Sequence, residues 1–172
     1  MGQSYTEQYL DAREQFTGQL LNQLIAKERA EAFVNTYAKM GQDDFVSSAK
    51  ALYANQFYFN DTLAQLASEQ QLTDYFSNMN TQVVEANVAL KTATFSQDSL
   101  YVHWLMEYEL SFWGSSRKIS SSGISELKYN AEGQIIFQQD FWDPNNGLLK
   151  QMPYVGRWFN AILPFKALNS EG

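Results

Sequence analysis

Asp140 is the first residue in this chain with the setting for chemistry. It closes the run Ile135-Ile136-Phe137-Gln138-Gln139-Asp140, and in a strand it shares one face with Ile136 and Gln138. Trp142 follows two positions later on the same face. A carboxylate on an inner strand face beside an indole is partly desolvated. Desolvation raises a carboxyl pKa and brings it toward acid/base work. The competing reading makes Asp140 a hydrogen-bond acceptor that fixes the corner before Trp142. Tyr37, Tyr53 and Tyr58 have hydroxyls that can donate to a developing oxyanion. As rings, they also suit a core with satisfied hydroxyls. Asp61 stands in Asn60-Asp61-Thr62, which reads as turn chemistry.

Other chemistries are excluded by composition. The chain has no cysteine, so disulfides, thiolate metal sites and cysteine nucleophiles are ruled out. A single histidine, His103, rules out a multi-histidine metal centre within one chain. His103 lies opposite the apolar face of its strand, with Glu107 and Glu109, which places it outward. No phosphate loop, nucleophile elbow or carboxylate metal signature is present, and no cofactor is expected. The net charge of −7, with no basic cluster longer than Arg117-Lys118, argues against nucleic acid as a partner. No apolar run reaches the length of a membrane span. Met1-Gly2-Gln3-Ser4 lacks a basic start and apolar h-region, so the expected location is cytoplasmic.

The elements that position these residues follow from periodicity. At 172 residues the chain fits one domain with a real core. Ser4 to about Lys27 reads as an amphipathic helix with Tyr9, Phe16, Leu20 and Leu24 on one face, weakened by Gly18. A second helix runs from about Lys27 to Met40, burying Phe33, Val34, Tyr37 and Met40 before Gly41 stops it. Asp43-Asp44 caps a short third helix. Gln56 to Asp61 reads as a short ring-rich strand. Ser68 and Gln71 form a capping box for a helix that carries Leu72, Tyr75, Phe76 and Met79.

The second half alternates with period two. Val84 to Phe95, Leu100 to Phe112, Lys118 to Tyr129 and Ile135 to Trp142 form four strands joined by polar turns, an antiparallel meander. Leu100, Val102, Trp104, Met106, Tyr108, Leu110 and Phe112 share one face, so Trp104 and Met106 line a core or cavity. Helices first and strands later spell α+β. Beyond Pro144, a hydrophobic tail with Arg157, Trp158, Phe159, Ile162 and Leu163 reads as a short amphipathic helix that covers a sheet edge or joins an interface.

This order of elements resembles the nuclear transport factor 2-like (NTF2-like) superfamily. The closing hairpin, Gly123-x-Ser125-x-Leu127-x-Tyr129, Gly133-x-Ile135, Asp140-Phe141-Trp142-Asp143 and Gly147-Leu148, is similar to its SnoaL-like, polyketide-cyclase-like branch. The resemblance implies a cone-shaped α+β barrel, a strongly curved antiparallel sheet wrapped around N-terminal helices with a cavity between them. Its core would span about 27–152 of a single domain 1–172, with an N-terminal helical extension 4–26 and a C-terminal tail 153–172. It implies that Asp61 lies near the cavity floor, where it would form a proton-shuttling pair with Asp140. It also implies a homodimer through the outer sheet face. Members are similar to ketosteroid isomerase, limonene epoxide hydrolase, scytalone dehydratase and aldol-type polyketide cyclases; others only bind small molecules or proteins. Where that branch often has a histidine two residues before the aspartate, this chain has Gln138.

Three functions follow as expectations. The leading one is a pocket that binds a small apolar ligand through Tyr37, Tyr53, Tyr58, Trp104, Met106 and Trp142. The second is a cofactor-independent isomerase, hydratase or cyclase that uses Asp61 and Asp140 as catalytic residues. The third is a protein-interaction module.

Overall fold

A computed structural model describes residues 2–112 and 114–149. Its elements in chain order are α1 (Tyr5–Gln15), α2 (Gln23–Tyr37), α3 (Phe45–Ala51), β1 (Tyr53–Asn60), β2 (Gln65–Leu66), α4 (Glu69–Gln82), β3 (Val83–Ser96), β4 (Ser99–Phe112), β5 (Ser115–Tyr129), β6 (Ile135–Trp142) and α5 (Pro144–Gly147). The strands form one sheet in the order β2-β1-β6-β5-β4-β3. The meander is antiparallel, as its short turns require, whereas β1 joins β6 in parallel because helix and strands separate the two in the chain. The fold is therefore the expected α+β one, with helices packed against a long sheet.

Bends in the sheet come from register shifts. β3 slips against β4 at Val83/Glu85 and Leu90/Thr92, β5 against β6 at Lys128/Tyr129, and β1 against β6 between Tyr53 and Tyr58. Such bulges bend a strand and increase its twist, so the inner face curls around the helices. α2 buries Ala26, Ala30, Phe33, Val34 and Tyr37, spaced as one helical face. α4 adds Leu72, Tyr75 and Phe76. Edge-on ring contacts join Tyr37, Phe45, Phe59 and Phe76, with centroids 5.5–6.3 Å apart. Each fully buried ring contributes roughly 2–3 kcal/mol.

The N-terminal segment differs from the single helix its periodicity suggests. α1 ends at Gln15, and Phe16 leaves in an extended conformation. The chain then runs along the sheet. Gly18 N donates to Asp98 Oδ2 at 2.8 Å, Gln19 N to Tyr129 O at 2.7 Å and Leu21 N to Gln97 O at 2.9 Å. Those three bonds replace the helical ladder around Gly18, where helix propensity is lowest. The expected face splits accordingly. Tyr9 and Phe16 pack on the sheet, while Leu20 and Leu24 are 74% and 76% exposed.

Two caps also differ from expectation. Asp44 makes no side-chain cap for α3; its carboxylate pairs with Lys39 Nζ at 2.7 Å instead. Ser68 accepts from Gln71 N, but the Gln71 side chain reaches Ala67 N rather than Ser68 N, so the box is half-made. The tail helix expected around Arg157–Leu163 lies outside the described residues. No helix among the described residues is long and apolar enough to cross a membrane.

Candidate functional site

The inner face of the sheet and helices α2 and α4 enclose a cavity of about 110 Å³, partly open to solvent. A dry cavity of roughly 150 Å³ holds benzene, so the enclosed part is somewhat smaller than a ring needs and a ring-sized group would also use its open side. Most of the wall is apolar, with Phe33, Met40, Val83, Val88, Met106 and Leu110 among its residues. Trp104 and Trp142 form a continuous part of it because Gly123 stands between them in register across β4, β5 and β6. A Cβ on Gly123 would sit 2.6 Å from Cζ2 of Trp104 and 2.7 Å from Cβ of Trp142, so only glycine admits this pairing.

Both singled-out carboxylates reach this cavity. Asp140 stands opposite Ser125 on β5 and is 8% exposed. Burial, and then the neighbouring charge of Asp61, push its pKa up to about 8; hydrogen bonds from Ser125 and Gln138 pull the other way. Gln138 Nε2 lies 3.1 and 3.2 Å from the two Asp140 oxygens. Ser125 in turn accepts from Trp104 Nε1 at 3.0 Å.

Asp61 follows β1 and continues its inward set, Phe57 and Phe59. The residue is half-buried, and protein donors surround its carboxylate. Oδ1 accepts from Leu63 N at 3.0 Å and Ala64 N at 2.8 Å, and Oδ2 accepts from the Tyr75 hydroxyl. Burial raises its pKa, and those three donors oppose the rise. The loop is strained at Thr62, whose φ of 78° is unfavourable for a β-branched residue. It is tied to β6 by Trp142 Nε1 donating to Asp61 O at 2.7 Å and by Thr62 Oγ1 donating to Asp140 O at 3.1 Å. Asp61 is thus both the turn cap and a cavity residue; the two readings of the sequence coexist.

The two acids differ in their surroundings. Asp61 has three donors that favour its anion. Asp140 has fewer donors and a negative neighbour, so it holds a proton near neutral pH. Two carboxyls with environments that push their pKa values apart are the usual basis for an acid/base assignment.

The expected ring residues separate. Tyr37, Trp104, Met106 and Trp142 line the cavity. Tyr53 lies one layer behind it, where its hydroxyl donates to Gln138 Oε1 at 2.6 Å. Tyr58 does not reach the cavity, contrary to the expectation that it lines the pocket. It faces the other side of the sheet, stacked on Phe137 at 5.1 Å and donating to Gln139 Oε1 under α1. Period two alone could not assign its side, because β1 is buried on both faces from Phe57 to Asn60. His103 is on the outer face, paired with Ile124. Sequence reasoning missed Ser125, Tyr75 and Tyr108 as cavity residues. Ser125 is marked by being a small polar residue in the inward set of β5, while Tyr75 reads as core. Burial raises the Tyr108 hydroxyl to about 12. No cluster of metal ligands occurs among the described residues.

No family model and no curated protein matches the chain by sequence. Solved structures do match it. A protein from Shewanella denitrificans OS-217 named as a SnoaL-like polyketide cyclase aligns with a TM-score of 0.62 at 13% identity, over 74% of this chain and 96% of that one. An NTF2-like protein of unknown function from Exiguobacterium sp. 255-15 aligns at 0.56 and 12% identity, over 67% and 98%. The fold is NTF2-like. An LEH-like epoxide hydrolase from M. tuberculosis has the same fold, with a TM-score of 0.53 at 15% identity over 74% and 92% of the two chains. In this NTF2-like fold, the meander and α2 build the cavity, and α1 is packed on the sheet's far side.

Proposed function

We propose that the chain is a single-domain protein whose cavity binds a small, largely apolar molecule carrying an oxygen acceptor, with Asp140 as the polar anchor. The observation that carries this reading is a carboxyl held protonated near neutral pH in a wall of tryptophan, methionine and phenylalanine. Such a group donates one hydrogen bond without charge, which suits a neutral ketone, epoxide or alcohol. Two carboxyls facing one apolar cavity disfavour an anionic ligand. Solved structures of the same fold include proteins named for a polyketide cyclase and an epoxide hydrolase.

A specific observation favours turnover as a second reading. Asp61 shares the cavity, and its three donors oppose the rise that burial causes, whereas Asp140 has Asp61 as a negative neighbour. One acid and one base then face the same ligand, as a cofactor-independent isomerisation, hydration or ring closure requires. We also propose a homodimer, motivated by Ile124 and Phe141, which are 43% and 45% exposed side by side on the outer sheet face.

Native mass spectrometry before and after organic extraction tests the first reading directly. The wild type should release a small molecule, or bind a ring-sized ketone or epoxide with quenching of tryptophan fluorescence. Asp140→Ala, which has no donor, should lose that binding while keeping its circular dichroism. An empty wild type that shows no quenching across such a panel would sink it. Turnover is then scored by product formation, which Asp61→Asn and Asp140→Asn should each abolish.

A further inference from the structure

A chain of buried polar groups with a single direction runs from one cavity residue to another, through Tyr53 and Gln138 behind the wall. Tyr53 Oη donates to Gln138 Oε1 at 2.6 Å. A hydroxyl has one proton, so at the 2.8 Å contact between Tyr37 Oη and Tyr53 Oη the donor must be Tyr37. Gln138 then turns its nitrogen to both oxygens of Asp140, at 3.1 and 3.2 Å. The polarity is Tyr37 to Tyr53 to Gln138 to Asp140. Gln138 is fully buried, and Tyr53 and Tyr37 nearly so. Reversing the amide would reverse both hydroxyls, and Tyr37 would lose Tyr53 as its acceptor. An unmade buried donor is costly, so the far end of the chain fixes the near end.

We propose that Gln138 is a positioning residue. Its amide, locked in one orientation by Tyr53 and Tyr37, presents nitrogen to Asp140, so that a proton on Asp140 is not drawn back to Gln138 and faces the cavity it shares with Asp61 and Ser125. Were the amide free to turn, Gln138 Oε1 would accept that proton and take it away from the ligand. This rests on the reading of Asp140 as the polar anchor. It adds what makes that anchor a donor toward the cavity. The titratable groups facing Asp140 are Asp61 at the end of β1, Tyr53 on β1, Tyr37 on α2 and Tyr75 on α4. None is a cation, so the amide orientation has no competing positive charge to act against.

The test follows the aspartate carboxyl resonances of isotope-labelled full-length protein through a pH titration without ligand, with Asp140 assigned by its loss in Asp140→Asn. Tyr53→Phe frees the amide to accept from protonated Asp140. The midpoint of Asp140 should therefore rise by about one pH unit. Gln138→Met removes the donor outright and should raise it by a similar amount. Tyr58→Phe deletes a buried hydroxyl from the same strand on the opposite face and should leave the midpoint in place. A Tyr53→Phe midpoint equal to that of wild type overturns the proposal, whether or not Gln138→Met folds, because Tyr53 reaches Asp140 through Gln138. Equal shifts in Tyr53→Phe and Tyr58→Phe also overturn it, since the effect would then be general loosening. Failure of the functional reading is seen separately, in the wild type alone, if Asp140 titrates in the ordinary carboxylate range.

Discussion

Glu126 and Asp140 are carboxylates on neighbouring strands, 1% and 8% exposed, and the sheet treats them oppositely. Glu126 points to the outer face under α1. There it meets Arg13 Nε at 2.7 Å, the Tyr9 hydroxyl at 2.8 Å and the Tyr101 hydroxyl at 3.2 Å. Asp140 points to the inner face and meets neutral donors and another acid. A buried carboxylate given a cation and two hydroxyls can stay charged and hold two elements together. One given an apolar wall and a like charge keeps its proton instead. The first arrangement fastens α1; the second leaves a group able to exchange a proton with whatever fills the cavity.

Removing the cation should have the largest effect. Arg13→Ala leaves Glu126 buried beside hydroxyls alone and, discounted for the 39% exposure of Arg13, should cost roughly 2–3 kcal/mol, read by urea denaturation. The loss should be accompanied by fraying of α1, visible as faster amide exchange over Tyr5–Gln15. A loss within error of zero would place Glu126 in contact with solvent and erase the contrast with Asp140.

Asp140→Asn should go the other way. A folded pKa raised from the ordinary carboxyl range to about 8 means that the folded chain holds a proton the unfolded chain has already released. Stability from this group therefore falls as pH rises through the window from about 4 to about 8. The asparagine variant lacks that slope. It should match wild type near pH 4 and already exceed it by about 2 kcal/mol near pH 5.5. Parallel stability curves for the two proteins across this window would contradict the protonated state of Asp140.

Gly123→Ala comes next and separates wall from fold. The added methyl meets both tryptophans, so it should cost about 1–2 kcal/mol and shift the indole signals in near-ultraviolet circular dichroism. The outer face directly across β5 should be unmoved, and the Arg13–Glu126 pair should still contribute its full share in a double-mutant cycle. Loss of that coupling would mean that the two faces are not independent.

The meander is legible because period-two alternation runs unbroken over thirteen residues in β4, the bulges of that ladder lying on β3. Asp140 and Trp142 were legible for the same reason, as members of an inward set. What was hidden depends on contacts distant in sequence. The break after Gln15 needs Tyr129 and Gln97 as backbone acceptors, which no local pattern announces. Tyr58 was assigned inward because a ring-rich strand looks alike on both faces when both are covered. Gln138 was visible only as a departure from a family habit. Its orientation depends on two tyrosines, one on α2 and one at the start of β1, and sidedness of that kind is set by packing.

The smallest expected effect concerns the part of the outer face that α1 leaves open. Tyr9 of α1 packs edge-on against Phe141 at 5.7 Å, and Ile124 lies beside Phe141 in register. α1 and its ion pair therefore occupy part of the surface through which two such sheets would meet, leaving a narrow apolar strip. Within one chain, Ile124→Ser should change stability by less than about 0.5 kcal/mol, because the side chain is already 43% exposed. Sedimentation at micromolar concentration separates the possibilities. If the strip is a self-association surface, Ile124→Ser should shift the sedimenting species toward the monomer while leaving the urea midpoint of dilute protein unchanged. A wild type that sediments as a monomer removes the homodimer, and α1 is then the partner this face already has.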